Sequence, residues 1–133
     1  MNWISCLCVS RPERWGQLQR AIADFDRQTH EDRELIIVTD QKTDYASLIE
    51  SYIAHDLEQP IKAPIKVFPR PLHSQIDGLL FAMCQAQGDV ITLWDDDNMN
   101  HPERLSVQLA SQKRFPNAMT AFGESLYYFP GLS

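Results

Sequence analysis

Cysteine is scarce in this chain: Cys6, Cys8 and Cys84 are the only three among 133 residues. The spacing of Cys6 and Cys8 suits neither a zinc knuckle nor a secreted disulfide framework. Both are expected to be buried small hydrophobes on one face of a strand, in a reducing, cytoplasmic compartment. Glycine is sparse as well. The first turn, Ser10-Arg11-Pro12-Glu13-Arg14-Trp15-Gly16, lacks the glycines that let a backbone approach a pyrophosphate, which argues against a dinucleotide site. No apolar run approaches the ~20 residues of a membrane span. The start, Met1-Asn2-Trp3-Ile4-Ser5-Cys6, has no basic stretch followed by a long apolar one, so no signal peptide is expected. An excess of positive charge is missing too. The formal charge of −6 argues against a nucleic-acid partner. Phosphate binding would then rest on a metal, on backbone N–H groups or on a few local Arg and Lys. What remains, at 44% hydrophobic and 23% charged residues, is a globular composition, and the length is that of one domain, 1–133.

The apolar pattern alternates between two periods. Trp3 to Val9 reads as a buried strand, followed by a helix with Ser10 as candidate N-cap and Pro12 in its first turn. Trp15, Leu18, Ala21, Ile22 and Phe25 recur at helical spacing. A second strand covers Glu34 to Thr39 and ends at Asp40. Tyr45, Leu48, Ile49, Tyr52 and Ile53 mark a second helix that fades before Pro60. Ile65 to Phe68 is a short third strand stopped by Pro69 and Pro71. Ile76, Leu79, Leu80 and Met83 mark a third helix closed near Gly88, and Val90 to Trp94 is a fourth strand. His101-Pro102-Glu103-Arg104-Leu105 starts another helix, with His101 as an entry residue. Met119 to Phe122 and Leu126 to Phe129 are candidate late strands. The Tyr127-Tyr128-Phe129 segment leaves apolar surface for such a strand or for a second copy of the chain, so a homo-oligomer is a further expectation. Strand–helix alternation with near-continuous apolar strands predicts an α/β fold, a mainly parallel sheet with helices on both faces. Ligands of such sheets bind beyond the carboxyl ends of the strands. Ser10, Asp40 and the run Asp95-Asp96-Asp97 all fall there.

That acidic run is the most informative feature. Two carboxylates 4 Å apart repel by roughly 1 kcal/mol in bulk water and about 4 near a protein surface, so something must offset three of them at the mouth of a strand. A divalent cation is the simplest candidate. In an extended backbone Asp95 and Asp97 share a face and Asp96 points away. Two carboxylates on one face suit Mg²⁺ or Mn²⁺ and leave positions for phosphate oxygens. A calcium loop fails on spacing. Counted from Asp96, the sixth position is His101 rather than Gly and the twelfth is Val107 rather than Glu. A dehalogenase-type phosphatase also carries D-x-D after a strand, with the first Asp as nucleophile, but normally on its first strand, whereas three strands precede it here. Asp40 can also be read simply as a turn-opening residue, and Arg11 and Arg14 as surface charges or phosphate contacts beside the crevice.

Several passages together resemble the N-terminal half of the family-two, GT-A-fold nucleotide-sugar glycosyltransferases. Cys6-Leu7-Cys8-Val9-Ser10-Arg11-Pro12-Glu13-Arg14 looks like the first strand and turn of that family. Gln28-Thr29-His30-Glu31-Asp32-Arg33-Glu34-Leu35-Ile36-Ile37-Val38-Thr39-Asp40 is similar to its Q-T-x-x-x-x-E-(apolar)-D passage. Ala86-Gln87-Gly88-Asp89-Val90-Ile91-Thr92-Leu93-Trp94-Asp95-Asp96-Asp97 is similar to its A-x-G-(D/E)-(apolar)-D-x-D passage, and His101-Pro102-Glu103-Arg104-Leu105 follows in register. The likeness runs from about Trp3 to Gln108. It implies that Ser10 to Glu13, with Ser10, Arg11 and Glu13 among them, line a nucleotide. It implies that Asp40 hydrogen-bonds the base, and that Asp95 and Asp97 contact the ribose and a Mn²⁺ or Mg²⁺ ion bridging the diphosphate. The implied partner is a nucleotide-diphosphate sugar, a UDP-sugar foremost. The implied reaction is transfer of its sugar to a hydroxyl acceptor, with inversion. Two departures stand out. The Arg-Asn pair of the family falls at Leu79 and Leu80, and few residues follow Asp97 where the acceptor half and catalytic base would lie. Glu124 is a late carboxylate, but no catalytic base is assigned. A non-catalytic or partner-dependent nucleotide- or metal-binding domain that keeps the half-fold is therefore the alternative expectation.

Overall fold

A computed structural model describes residues 3–57, 61–72, 74–96, 100–114, 120–122 and 125–128. Six strands form one sheet. In chain order the elements are β1 (Ile4–Ser10), a 3₁₀ turn (Pro12–Arg14), α1 (Trp15–Asp26), β2 (Arg33–Asp40), α2 (Tyr45–Ser51), a π turn (Tyr52–Asp56), β3 (Ile65–Arg70), α3 (Gln75–Gln85), β4 (Val90–Leu93), α4 (Arg104–Arg114), β5 (Thr120–Phe122) and β6 (Ser125–Tyr128). The sheet order is β3-β2-β1-β4-β6-β5. The first four strands pair in parallel and the last two are antiparallel, so the mainly parallel sheet read from the sequence is the one observed.

The strands that the sequence marks as continuously apolar are the ones buried on both faces. From β1, Ile4, Cys6 and Cys8 enter the core under α1, α2 and α4 with Leu18, Ile22, Phe25, Ile49 and Leu105. Leu7 and Val9 point to the opposite face, where Ile36, Val38 and Ala82 pack under α3. Helices thus cover both faces, and Cys6 and Cys8 are buried and not joined in a disulfide. Burial pushes the Cys6 thiol up to about 12, against the pull of Arg104 and Arg33, so it stays protonated.

Three local departures have physical causes. β3 runs through Pro69 to Arg70, opposite Thr39 and Asp40. It is an edge strand, where a residue without an N–H is tolerated. Ser10 is the last residue of β1 rather than an N-cap, and no side chain caps the 3₁₀ turn or α1. In α3 the residues set against the sheet are Gly78 and Ala82. A Cβ at Gly78 would stand 2.8 Å from Val9 Cγ2, so the helix lies close to the sheet. Ile76 and Leu80, 67% and 55% exposed, are left outward.

The Gln28-Thr29 pair clamps α4. Gln28 Nε2 donates to the carbonyls of Asp24 (3.1 Å) and His101 (2.9 Å), and its Oε1 accepts the Leu105 N–H at 3.0 Å. Thr29 donates its N–H to the Pro102 carbonyl at 2.9 Å. The end of α1 is thereby tied to the start of α4. His101 Nδ1 accepts the Glu103 N–H at 3.1 Å, the helix-entry role expected of it. Arg33 closes the other side. It donates to the carbonyls of Phe25 and Asp26, both at 3.0 Å, and sets a cation at the negative end of α1.

At the amino edge of the sheet, Gly88 donates its N–H to Ser5 Oγ (2.8 Å), and Ser5 donates to Glu34 Oε2 (2.6 Å). A Cβ on Gly88 would fall 2.6 Å from Ser5 Oγ and 2.7 Å from the Trp3 carbonyl. Gly88→Ala should therefore cost about 1–3 kcal/mol, the usual range for overpacking, read as a lower urea midpoint at unchanged m-value. Glu34 is buried, which alone would raise its pKa. Hydrogen bonds from Ser5, the Gln87 N–H and Lys66, together with the Lys66 charge, outweigh burial and hold it below the usual carboxylate range. A depressed carboxylate stabilises the fold above its unfolded pKa, and the contribution is lost as pH falls through the folded value. The thermal midpoint should drop as pH goes below 4.5, and less steeply in Glu34→Gln.

Candidate functional site

The carboxyl ends of β1, β2 and β4 lie side by side. Ser10 pairs with Thr39 in register, so Asp40 stands one residue beyond it. Leu7 pairs with Leu93, which carries Ser10 level with Asp96. Ser10 Oγ donates to Asp96 Oδ2 at 2.9 Å, and Arg14 Nη1 reaches Asp96 Oδ1 at 3.0 Å. Ser10 Oγ also lies 2.9 Å from the Tyr45 hydroxyl. Ser10 has one proton and gives it to the carboxylate, so Tyr45 is the donor of that bond. Burial pushes the Tyr45 phenol up to about 12, against the lowering effect of the Ser10 bond, which keeps the donor proton in place. The Asp96 side chain is 2% exposed and Arg14 is 46% exposed.

Part of the repulsion at the acidic run is offset by Arg14, whose guanidinium meets Asp96. Arg104, buried at the start of α4, donates to the Leu93 carbonyl at 2.9 Å and lies 4.7 Å above the centre of the Trp94 ring. Trp94 itself is fully buried, its Nε1 donating to the Ala21 carbonyl at 3.0 Å. It is a packing residue, and it fixes the start of the acidic run.

Of the sequence-derived candidates, Ser10 is buried and bonded to Tyr45 and Asp96. Arg11 is half-buried and Glu13 exposed in the turn that follows β1. Asp40 is half-buried at the end of β2, and its Oδ1 accepts the Lys42 N–H at 3.0 Å. The turn-forming role is therefore real. Asp95 is half-buried two residues past β4. Asp97 and Glu124 lie outside the described residues. Asp96, Tyr45 and Arg104 were not picked out as site residues by sequence. Asp96 does take the inward side, with Trp94, that alternation assigns to it. The Arg-Asn positions carry no cation in space either: Leu79 packs under the sheet and Leu80 is exposed.

Two further features mark this edge. Thr39 Oγ1 is buried beside Ser10 in the register and has no hydrogen-bond partner among the described residues. An open cleft of about 360 Å³ is lined by Pro12, Trp15, Thr43, Asp44, Tyr45 and Leu48. Trp15 and Tyr45 meet edge to face in its wall at 5.9 Å. Among the described residues no three His, Cys, Asp or Glu side chains are gathered as a metal cage. The donor set that remains is the Asp95 carboxylate with Asp97 next in line, and carboxylate oxygens are the right chemistry for a hard cation. No helix among the described residues is long and apolar enough to cross a membrane.

A family profile described as Glycosyl transferase family 2 matches residues 8–125. No curated protein matches the chain. Among solved structures it is similar to S. aureus TarS 1-349, with a TM-score of 0.68 at 16% identity, covering 84% of this chain and 32% of that one. TarS 1-349 in complex with UDP-GlcNAc gives 0.65 at 15% identity, with coverages of 84% and 31%. The mannosyltransferase PcManGT from Pyrobaculum calidifontis, in complex with GDP-Man and Mn²⁺, gives 0.61 at 16% identity, with coverages of 82% and 31%. The likeness is one of fold, and the chain spans about a third of each of these structures.

Proposed function

The chain belongs to glycosyl transferase family 2, and from that premise we propose that its carboxyl-edge crevice binds a nucleotide-diphosphate sugar and transfers the sugar to a hydroxyl acceptor. The observation that carries the proposal is the meeting of the post-β1 turn, the end of β2 and the acidic run at one edge, held by Ser10, Arg14 and Asp96. The similar structures with UDP-GlcNAc and with GDP-Man and Mn²⁺ support the ligand class. A UDP-sugar is the first donor to test.

In this reading Asp40 accepts a hydrogen bond from the base with the carboxylate oxygen not used by Lys42. Arg11 and Glu13 line the nucleotide, Ser10, buried and bonded to Asp96 and Tyr45, holds their turn in place, and the apolar cleft of Pro12, Trp15 and Tyr45 offers a planar wall beside them. The unsatisfied Thr39 hydroxyl is a polar contact that the fold leaves for a ligand or an ordered water. Asp95 would hold Mn²⁺ or Mg²⁺ with Asp97, and also reach the ribose. When bound, that ion supplies Lewis-acid stabilisation of the departing diphosphate. An inverting transfer needs a carboxylate base to take the acceptor proton, and no described residue is assigned to it. Buried cysteines outside any disulfide fit a reducing cytoplasm.

Calorimetric titration of UDP, GDP and other nucleoside diphosphates, with and without Mn²⁺, tests the donor site. Saturable binding that needs the metal and prefers one base is the expected result, and no binding to any of them would overturn the reading. Leu79 and Leu80, which stand where the family's Arg-Asn pair would fall, favour a second reading: a non-catalytic or partner-dependent nucleotide-binding domain. Turnover of a nucleotide sugar by the purified chain alone would eliminate it.

A further inference from the structure

We propose that Asp96, the middle acid, is a positioning residue that fixes the backbone presenting Asp95 and is not itself a ligand; this rests on the donor-site reading above. Its two carboxylate oxygens are both engaged inside the protein. Oδ2 takes the Ser10 proton at 2.9 Å and Oδ1 the Arg14 guanidinium at 3.0 Å. The side chain is 2% exposed, which leaves it little access to a nucleotide or a hydrated ion. Its anchors come from separate elements: Ser10 from β1, Arg14 from the 3₁₀ turn before α1, and Tyr45 from α2 through Ser10. The same elements carry the residues assigned to the nucleotide, since Arg11 to Glu13 join β1 to α1 and Asp40 precedes α2. Asp96 therefore ties the wall of the nucleotide crevice to the backbone that presents Asp95. A carboxylate fixed by a serine and an arginine holds the residue before it to a narrow range of positions, which is what a preorganised cation ligand would need.

The test is titration of the full chain with UDP at saturating Mn²⁺ and without it, alongside thermal melting, for wild type, Asp96→Asn, Arg14→Ala and the double variant. Asp96→Asn should weaken UDP binding about tenfold while binding stays dependent on Mn²⁺. Arg14→Ala should do the same. The double variant should be no weaker than either single one, as expected for two groups acting through one contact. Arg14 is substantially exposed, so its variant keeps the test readable if Asp96→Asn folds poorly. Loss of all metal-dependent binding in Asp96→Asn with wild-type affinity in Arg14→Ala would make Asp96 a ligand and overturn the proposal. Wild-type affinity in both, with only a lower melting temperature, would make the contact merely structural and overturn it as well. Failure of the wild type itself to bind any nucleoside diphosphate is a different result, because it removes the donor-site reading and this inference with it.

Discussion

An Asp97→Ala variant is expected to lose metal-dependent binding of nucleoside diphosphates outright, and Asp95→Ala to lose nearly as much. The argument is one of charge. A nucleoside diphosphate carries several negative charges, and the proposed crevice would bring it to the acids Glu13, Asp40 and Asp95, with Arg11 in the same turn as Glu13. The cations on this edge are already committed in part: Arg14 to Asp96 and Arg104 to the end of β4. The α3 positions that would add another hold Leu79 and Leu80. Without a divalent ion the anionic ligand meets a net acidic site, and removing a ligand carboxylate removes the ion. The loss should exceed a hundredfold in affinity, about 2.8 kcal/mol at 1.4 kcal/mol per factor of ten. The melting temperature should change little or rise, because removing one of three neighbouring acids relieves repulsion. Calorimetry with and without Mn²⁺ reads the first effect and a thermal melt the second. Unchanged Mn²⁺-dependent binding in Asp97→Ala would sink the metal-site assignment.

Much of this fold was legible because its parallel strands are buried on both faces. Residues such as Leu35 to Val38 leave no alternative to a central strand, and the 3.6-residue spacing of Leu18, Ile22 and Phe25 leaves little doubt about α1. What the sequence hid depends on neighbours distant in the chain. Pro69 reads as a stop until β3 is known to be an edge strand. Ser10 resembles a helix cap until the register shows that β1 extends to it and that Asp96 waits opposite. Ile76 and Leu80 look like the buried stripe of α3, but the close approach allowed by Gly78 gives that place to small residues. The Gln28-Thr29 pair was visible only as a likeness to other sequences. Its physical role, the clamp on α4, needs the three-dimensional position of His101 and Leu105. For the candidate site, the sequence located the edge and the acids. Alternation also assigned Asp96 to the face away from Asp95 and Asp97, but what it meets there, Ser10 and Arg14, depends on the pairing of Leu7 with Leu93.

The largest effect on stability is expected at the residue just before those acids. Trp94 is fully buried and meets Phe25 edge to face at 6.1 Å. Its Nε1 donates to the Ala21 carbonyl and the Arg104 guanidinium covers its ring. One side chain therefore joins β4 to α1 and to the start of α4. Trp94→Ala removes that wedge and leaves Arg104 buried beside a cavity. The cost should be about 3–5 kcal/mol, a large share of the roughly 5–15 kcal/mol that a domain of this kind holds in reserve. Trp94→Phe keeps a ring against Phe25 and under Arg104 and gives up only the Ala21 hydrogen bond and part of the volume, so it should recover more than half of the loss. Urea denaturation of the two variants measures both. Because Asp95 follows directly, the folded fraction of Trp94→Ala should also bind Mn²⁺-UDP more weakly than wild type, while Trp94→Phe binds close to normally. A Trp94→Ala protein that unfolds at the wild-type urea concentration would mean that the acids are anchored by something other than this packing, leaving the Gln28 clamp and the Ser10–Asp96–Arg14 contact to hold the edge together.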